Sequence, residues 1–154
     1  MHKIETQFQI AQWLAAAKIK RSFVKHANPE ASPGNVWNCV TDNTPIKLSV
    51  IIPTIDANRG GYFLQLLSQI GYQDFKGFEV IVICGDPRQG RTINIGAALA
   101  LGRYILTLDD DTSLPDPMTF GKLVAVMEKH PEIGIAGGNN VIPKDASHFV
   151  RHLM

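Results

Sequence analysis

Three short apolar runs, each closed by a polar loop, constrain this chain more than any other feature. They are Leu48-Ser49-Val50-Ile51-Ile52-Pro53, Phe78 to Cys84 (FEVIVIC) and Tyr104-Ile105-Leu106-Thr107-Leu108. Each is β-branched and nearly continuous in hydrophobicity, which suits strands buried on both faces. Between the first two, residues from about Gly61 to Ile70 carry Phe63, Leu66, Leu67 and Ile70 at helical spacing, with Gly71 as the stop. Between the second and third, Thr92 to Leu101 forms a small-residue helix closed by Gly102. A β-α-β-α-β order with short connections predicts a parallel sheet with right-handed crossovers. Ligands of such sheets collect at the carboxyl ends of the strands.

All three ends are polar here: Thr54–Arg59, Gly85–Arg91 and Asp109–Thr112. The last places Asp109, Asp110 and Asp111 side by side. In extended geometry Asp109 and Asp111 share a side, about 6–7 Å apart between backbones. At an effective dielectric of about 20, two such charges repel by about 2–3 kcal/mol. A divalent cation relieves that repulsion. Mg²⁺ and Mn²⁺ prefer carboxylate oxygens and complete their shells with substrate phosphates. The plainer alternative is a solvated acidic turn before the next helix. Convergence of three polar strand ends favours the cation.

A length of 154 residues, 45% of them hydrophobic, suits one domain with a sizeable core. With 15 Lys and Arg against 14 Asp and Glu, the net charge is +1, which makes no case for nucleic-acid binding. Cys39 and Cys84 form no CxxC pair and read as reduced thiols of a cytoplasmic protein. No apolar run approaches a membrane span, and the basic residues mostly follow Trp13–Ala17 rather than precede it, unlike a signal peptide.

Residues 1–46 read as a helix and an irregular linker, and 47–154 as a partial ligand-binding domain. The helix runs from Ile4 to about Lys25, with Phe8, Ala11, Ala15 and Ile19 on one face and a basic end at Lys18, Lys20, Arg21, Lys25 and His26. It either packs on the main domain or rests on an anionic membrane surface. Asn28 to Pro45 reads as a loop pinned by Trp37 and Val40. After the aspartates, Met118 to Lys129 forms a helix with Phe120, Leu123, Val124 and Met127 inward, and Pro131 breaks it. Ile133–Ala136 reads as a short strand, Val141–Pro143 as an extended piece, and Ser147–Met154 as the start of a helix. His148 and His152 on that last helix could share a metal, although surface histidines explain them more simply.

LSVIIPT (Leu48–Thr54), FEVIVI (Phe78–Ile83), TINIGAALALGRY (Thr92–Tyr104), ILTLDDD (Ile105–Asp111) and GGNNVIPKDAS together resemble the nucleotide-sugar half of family 2 glycosyltransferases, over about residues 47–143. The resemblance implies a GT-A fold: an α/β, Rossmann-like, mostly parallel sheet flanked by helices, incomplete on its C-terminal side. It also implies a UDP- or GDP-type sugar donor, Mg²⁺ or Mn²⁺, and a glycan or lipid-linked glycan acceptor. Asp109 to Asp111 match the family's D-x-D motif. Asp109 would lie by the ribose and the metal, Asp110 by the donor, and Asp111 on the metal. Pro53, Thr54 and Asp56 match the first donor-facing loop, and Asn94 a polar position of the following helix. Arg88 and Arg91 are near enough to reach the diphosphate. Their plainer roles are a strand stop, turn residues, a helix-surface amide and loop charges.

Two departures stand out. The family's acidic pair after the second strand is here Cys84 and Gly85, so either Asp86 substitutes in contacting the base or the base is recognised differently. The acceptor-side portion normally lies beyond the aspartates, and Asp116, Glu132 and Asp145 do not match its catalytic base. The expectation is therefore a metal-assisted, inverting sugar transferase if complete, or else a truncated module that binds nucleotide and metal or supports a partner. A nucleotidyltransferase ranks third, because Thr54–Arg59 is not a Gly-rich phosphate loop. Hydride transfer is weaker still without a GxGxxG.

Overall fold

A computed structural model describes residues 45–138 in full and, for Arg21–His26 and Asn35–Thr41, the backbone. In chain order these form β1 (Arg21–His26), β2 (Asn35–Thr41), β3 (Leu48–Thr54), α1 (Tyr62–Gly71), β4 (Phe78–Cys84), α2 (Gln89–Leu99), β5 (Tyr104–Thr107) and α3 (Thr119–Lys129). The strands make one sheet in the order β1-β2-β4-β3-β5. β4, β3 and β5 are mutually parallel, while β2 runs antiparallel to β4 and β1 antiparallel to β2. This is the α/β, Rossmann-like arrangement that the alternating runs and the resemblance imply.

The two central strands bury both faces because apolar side chains occupy every position bar a few. Val50, Ile52, Val80 and Val82 face a cluster with Phe63, Leu66, Leu67 and Ile70 of α1 and Phe120 and Val124 of α3. Ile51, Ile81 and Ile83 face the other way, against Ile95, Ala97 and Leu99 around α2. The rings of Phe78 and Phe120 meet edge to face at 5.3 Å, locking α3 over the strand start.

Two buried polar side chains fasten the connections that lead to and from the aspartates. Glu79 accepts from the Ser49 hydroxyl and from Leu101 N, each at 2.6 Å, and Ser49 Oγ accepts from Gly102 N at 2.9 Å. These bonds clamp the α2–β5 turn onto β3 and β4. Gln73, fully buried, accepts from Phe120 N at 3.1 Å and donates to the Asp116 carbonyl at 3.0 Å. Gln69 accepts from Leu114 N at 2.6 Å. The Pro115 and Pro117 connection is thus fixed by Gln69 to α1 and by Gln73 to the turn that follows it.

Several expectations are corrected. The helix assigned to Ile4–Lys25 does not extend through Arg21–His26, which is a strand. Residues 4–20 lie outside the described residues, and with them the membrane-resting face. The loop assigned to Asn28–Pro45 contains β2, paired with β4 from Asn35↔Cys84 to Val40↔Glu79. Its Val, Trp, Cys and Thr residues suit a strand, but Asn35 and Asn38 interrupt the apolar pattern that reveals one. The open edge of β4 supplies the missing incentive by satisfying the backbone of β2, which in turn satisfies β1. Ile133–Ala136 is not a strand: Ile133 N closes a turn onto the His130 carbonyl at 3.0 Å, and Ile135 is 90% exposed. Helix α2 begins at Gln89 rather than Thr92, and β3 continues through Pro53 to Thr54. β5 is not buried on both faces: it is an edge strand among the described residues, with Ile105 and Thr107 exposed. Val141–Pro143, Asp145 and the His148/His152 pair lie outside the described residues.

Candidate functional site

The site follows from strand register. The β3–β5 ladder ends where Ile51 pairs with Thr107, and just beyond it the side chains of Thr54 and Asp110 meet. The Thr54 hydroxyl donates to Asp110 Oδ2 at 2.6 Å and accepts from Ala57 N at 3.0 Å. On the other side of β3, Thr54 pairs with Cys84, and Gly85 N extends the ladder onto the Thr54 carbonyl at 3.0 Å. Gly85 has a φ of 96°, a left-handed turn that sends the chain into Asp86. All three polar strand ends therefore meet at one end of the sheet.

The aspartates do not continue the strand as extended backbone. β5 ends at Thr107, and Thr112 N bonds the Asp109 carbonyl at 3.0 Å to close a turn. The turn gives Asp109 a partner of its own and lets Asp110 and Asp111 share one guanidinium. Asp109 Oδ1 accepts from Gln89 Nε2 at 2.7 Å, at the start of α2. Asp110 takes the Thr54 hydroxyl and lies 3.6 Å from Arg59 Nε. Asp111 Oδ2 is 3.3 Å from Arg59 Nη2.

Arg59 reaches them from the β3–α1 turn. Asp56 Oδ1 accepts from Asn58 N at 2.9 Å and from Arg59 N at 3.0 Å. The bond from Arg59 N, then that from Asn58 N, holds the Asp56 carboxyl below its ordinary pKa. Ala57 and Arg59 have φ of 55° and 47°, so the turn is built from left-handed residues and needs this bracing. Asp86 is 2% exposed and stays ionised because Arg88 wraps it, with Nε 2.8 Å and Nη2 2.9 Å from its two oxygens. That side-chain bond lowers the Asp86 pKa and raises that of Arg88. Arg91 Nη1 adds a second guanidinium 3.6 Å away.

A cleft of about 320 Å³ lies between these loops. Of the residues singled out in the sequence, Pro53, Thr54, Asp86, Asp109, Asp110 and Asp111 border it. Asp56 instead braces the turn behind Arg59. Arg88 and Arg91 are turned to Asp86, and Asn94 is exposed on α2; none of the three borders the cleft. Arg59 and Gln89 do border it and touch the aspartates, yet nothing in their local pattern marks them. The one available signal was that each sits in a polar strand end.

Among the described residues no group of three or more Asp, Glu, His or Cys side chains is placed to hold a metal ion by itself. The donor set is nevertheless hard oxygen throughout, which suits an ion bound by one or two carboxylates together with substrate phosphates. Among the described residues no helix is long and apolar enough to cross a membrane.

Residues 85–154 match the family model described as Glycosyl transferase family 2. No match is found among curated proteins or among solved structures. The matched region opens at the turn after β4 and takes in Asp86, α2, β5 and the aspartates. It leaves out β3, whose Thr54 is joined to Asp110 by the fold alone. On its matched region and its sheet together, this chain resembles the family 2 glycosyltransferases.

Proposed function

We propose that the chain binds a UDP- or GDP-type sugar through Mg²⁺ or Mn²⁺ at Asp109–Asp111, and serves glycosyl transfer to a glycan or lipid-linked glycan. The observation that carries this reading is the β4-β3-β5 register, which brings Thr54, Asp86 and the aspartates to one cleft. A divalent ion bound there supplies neutralisation of the charge that builds on a departing nucleoside diphosphate. Asp109 and Asp111 would hold that ion, with Asp110 beside the donor. The Thr54 hydroxyl orients the Asp110 carboxylate, and the Gln89 amide orients that of Asp109. Pro53 forms part of the wall on the donor side, and Asp86 the side towards the base. Arg88 and Arg91 act one step back, by keeping Asp86 ionised. Asp116 is engaged with Lys122 and Glu132 with His130, so neither is assigned as the base that deprotonates the acceptor.

Calorimetry with UDP and with GDP, with and without Mn²⁺, tests the reading on the wild type and on Asp111→Ala. Mn²⁺-dependent binding is expected for the wild type, weakened at least about ten-fold in the variant, as for loss of a charged ligand. Equal binding by the two proteins would overturn the site. Transfer of sugar by the 154-residue chain itself would exclude a purely supporting role.

A further inference from the structure

The Arg59 guanidinium lies where a cation is wanted, 3.3 Å from Asp111 and 3.6 Å from Asp110. Its backbone is held by Asp56, and its side chain, 60% exposed, makes two long bonds to Asp111 Oδ2, from Nε at 3.4 Å and from Nη2 at 3.3 Å. Both contacts are longer than a charge-assisted hydrogen bond of about 2.7–2.9 Å. Asp111 is itself half-exposed, and exposed pairs of this kind are weak and easily exchanged. Arg88 makes the contrast: two bonds of 2.8 and 2.9 Å commit it to buried Asp86. The aspartates thus carry a cation that is tethered by its main chain and held at its tip only by long contacts.

We propose that Arg59 is a displaceable counter-cation. Its guanidinium neutralises Asp110 and Asp111 until a divalent ion enters, then turns onto the diphosphate that accompanies the ion. This inference rests on the metal–diphosphate reading of the site. It explains why an arginine stands among the carboxylates on a left-handed turn: the turn aims it, and its long contacts let it leave. The metal and Arg59 compete for the same oxygens, while the diphosphate and Arg59 attract each other, so removal of the guanidinium has opposite effects on the two ligands.

Mn²⁺ binding followed by the paramagnetic resonance of the free ion, and UDP binding at saturating Mn²⁺, test this on Arg59→Gln, Arg59→Lys and the wild type. Arg59→Gln is expected to bind Mn²⁺ alone about three-fold more tightly and UDP about ten-fold more weakly. Arg59→Lys is expected to fall between. Mn²⁺ affinity unchanged or weakened in Arg59→Gln overturns the proposal. If Mn²⁺ binding is also lost in Asp111→Ala, the metal site stands and only the role of Arg59 falls. No Mn²⁺ binding by any of the proteins overturns both.

Discussion

At Asp86, burial and ionisation are reconciled by two guanidiniums, and the consequence is a pH dependence. Its folded pKa lies below the ordinary carboxylate value because Arg88 donates to it. Between the two values the unfolded chain carries the extra proton, so stability rises with pH there. The contribution is complete above about pH 4 and is lost as pH falls through the depressed value. Asp86→Asn is expected to flatten the acid limb of stability in urea unfolding below about pH 4. Asp56 and Asp116, also held low, will keep part of the slope. A variant as acid-sensitive as the wild type would refute the assignment. The aspartates themselves were legible as residues, since three adjacent carboxylates at a strand end are a local pattern. The partners were not. Arg88 and Arg91 lie in the second polar strand end but are claimed by Asp86, whereas Arg59 reaches the aspartates across 52 residues.

At the scale of elements, the short α2–β5 connection sets where the aspartates begin. A Cβ on Gly102 would lie 2.7 Å from Ser49 N and 2.8 Å from the Leu48 carbonyl carbon, both backbone atoms of a buried strand. Neither can yield without parting β5 from β3. Gly102→Ala is expected to cost about 1–3 kcal/mol in urea unfolding, the range for overpacking a core, and to weaken Mn²⁺ binding at the far end of the same strand. Gly90→Ala, with open space around its Cβ, is the control that should change neither. Equal stability of the two variants would contradict this account of the turn. The elements with a strong period were all legible, β4 to the residue and α1 and α3 within one. β1 and β2 were not, because their strand state depends on an edge supplied by β4, not on their own pattern.

For the molecule as a whole, the site joins segments from β3, β4, α2 and β5, so a ligand that bridges them resists global unfolding. UDP with Mn²⁺ at about a hundred-fold over its Kd should stabilise the fold by about 2.7 kcal/mol. That corresponds to a rise in Tm of about 5–10 °C for a domain of this size. Thermal melts should show the rise in the wild type, with at most about half of it in Asp111→Ala and little from UDP without metal. An undiminished shift in the variant would place the ligand elsewhere. By itself the sequence determined that this chain builds an α/β sheet with polar ends and a run of three carboxylates after its third apolar run. Those properties are written in short continuous apolar runs and in a period of 3.6 residues, which act over a few neighbours. The tertiary structure decided that β3 lies between β4 and β5, that β1 and β2 close the sheet antiparallel, and that Arg59 rather than Arg88 meets the aspartates. Such pairings are settled by backbone groups and charges from segments far apart in sequence competing for the same partners, and local periodicity carries no record of that competition.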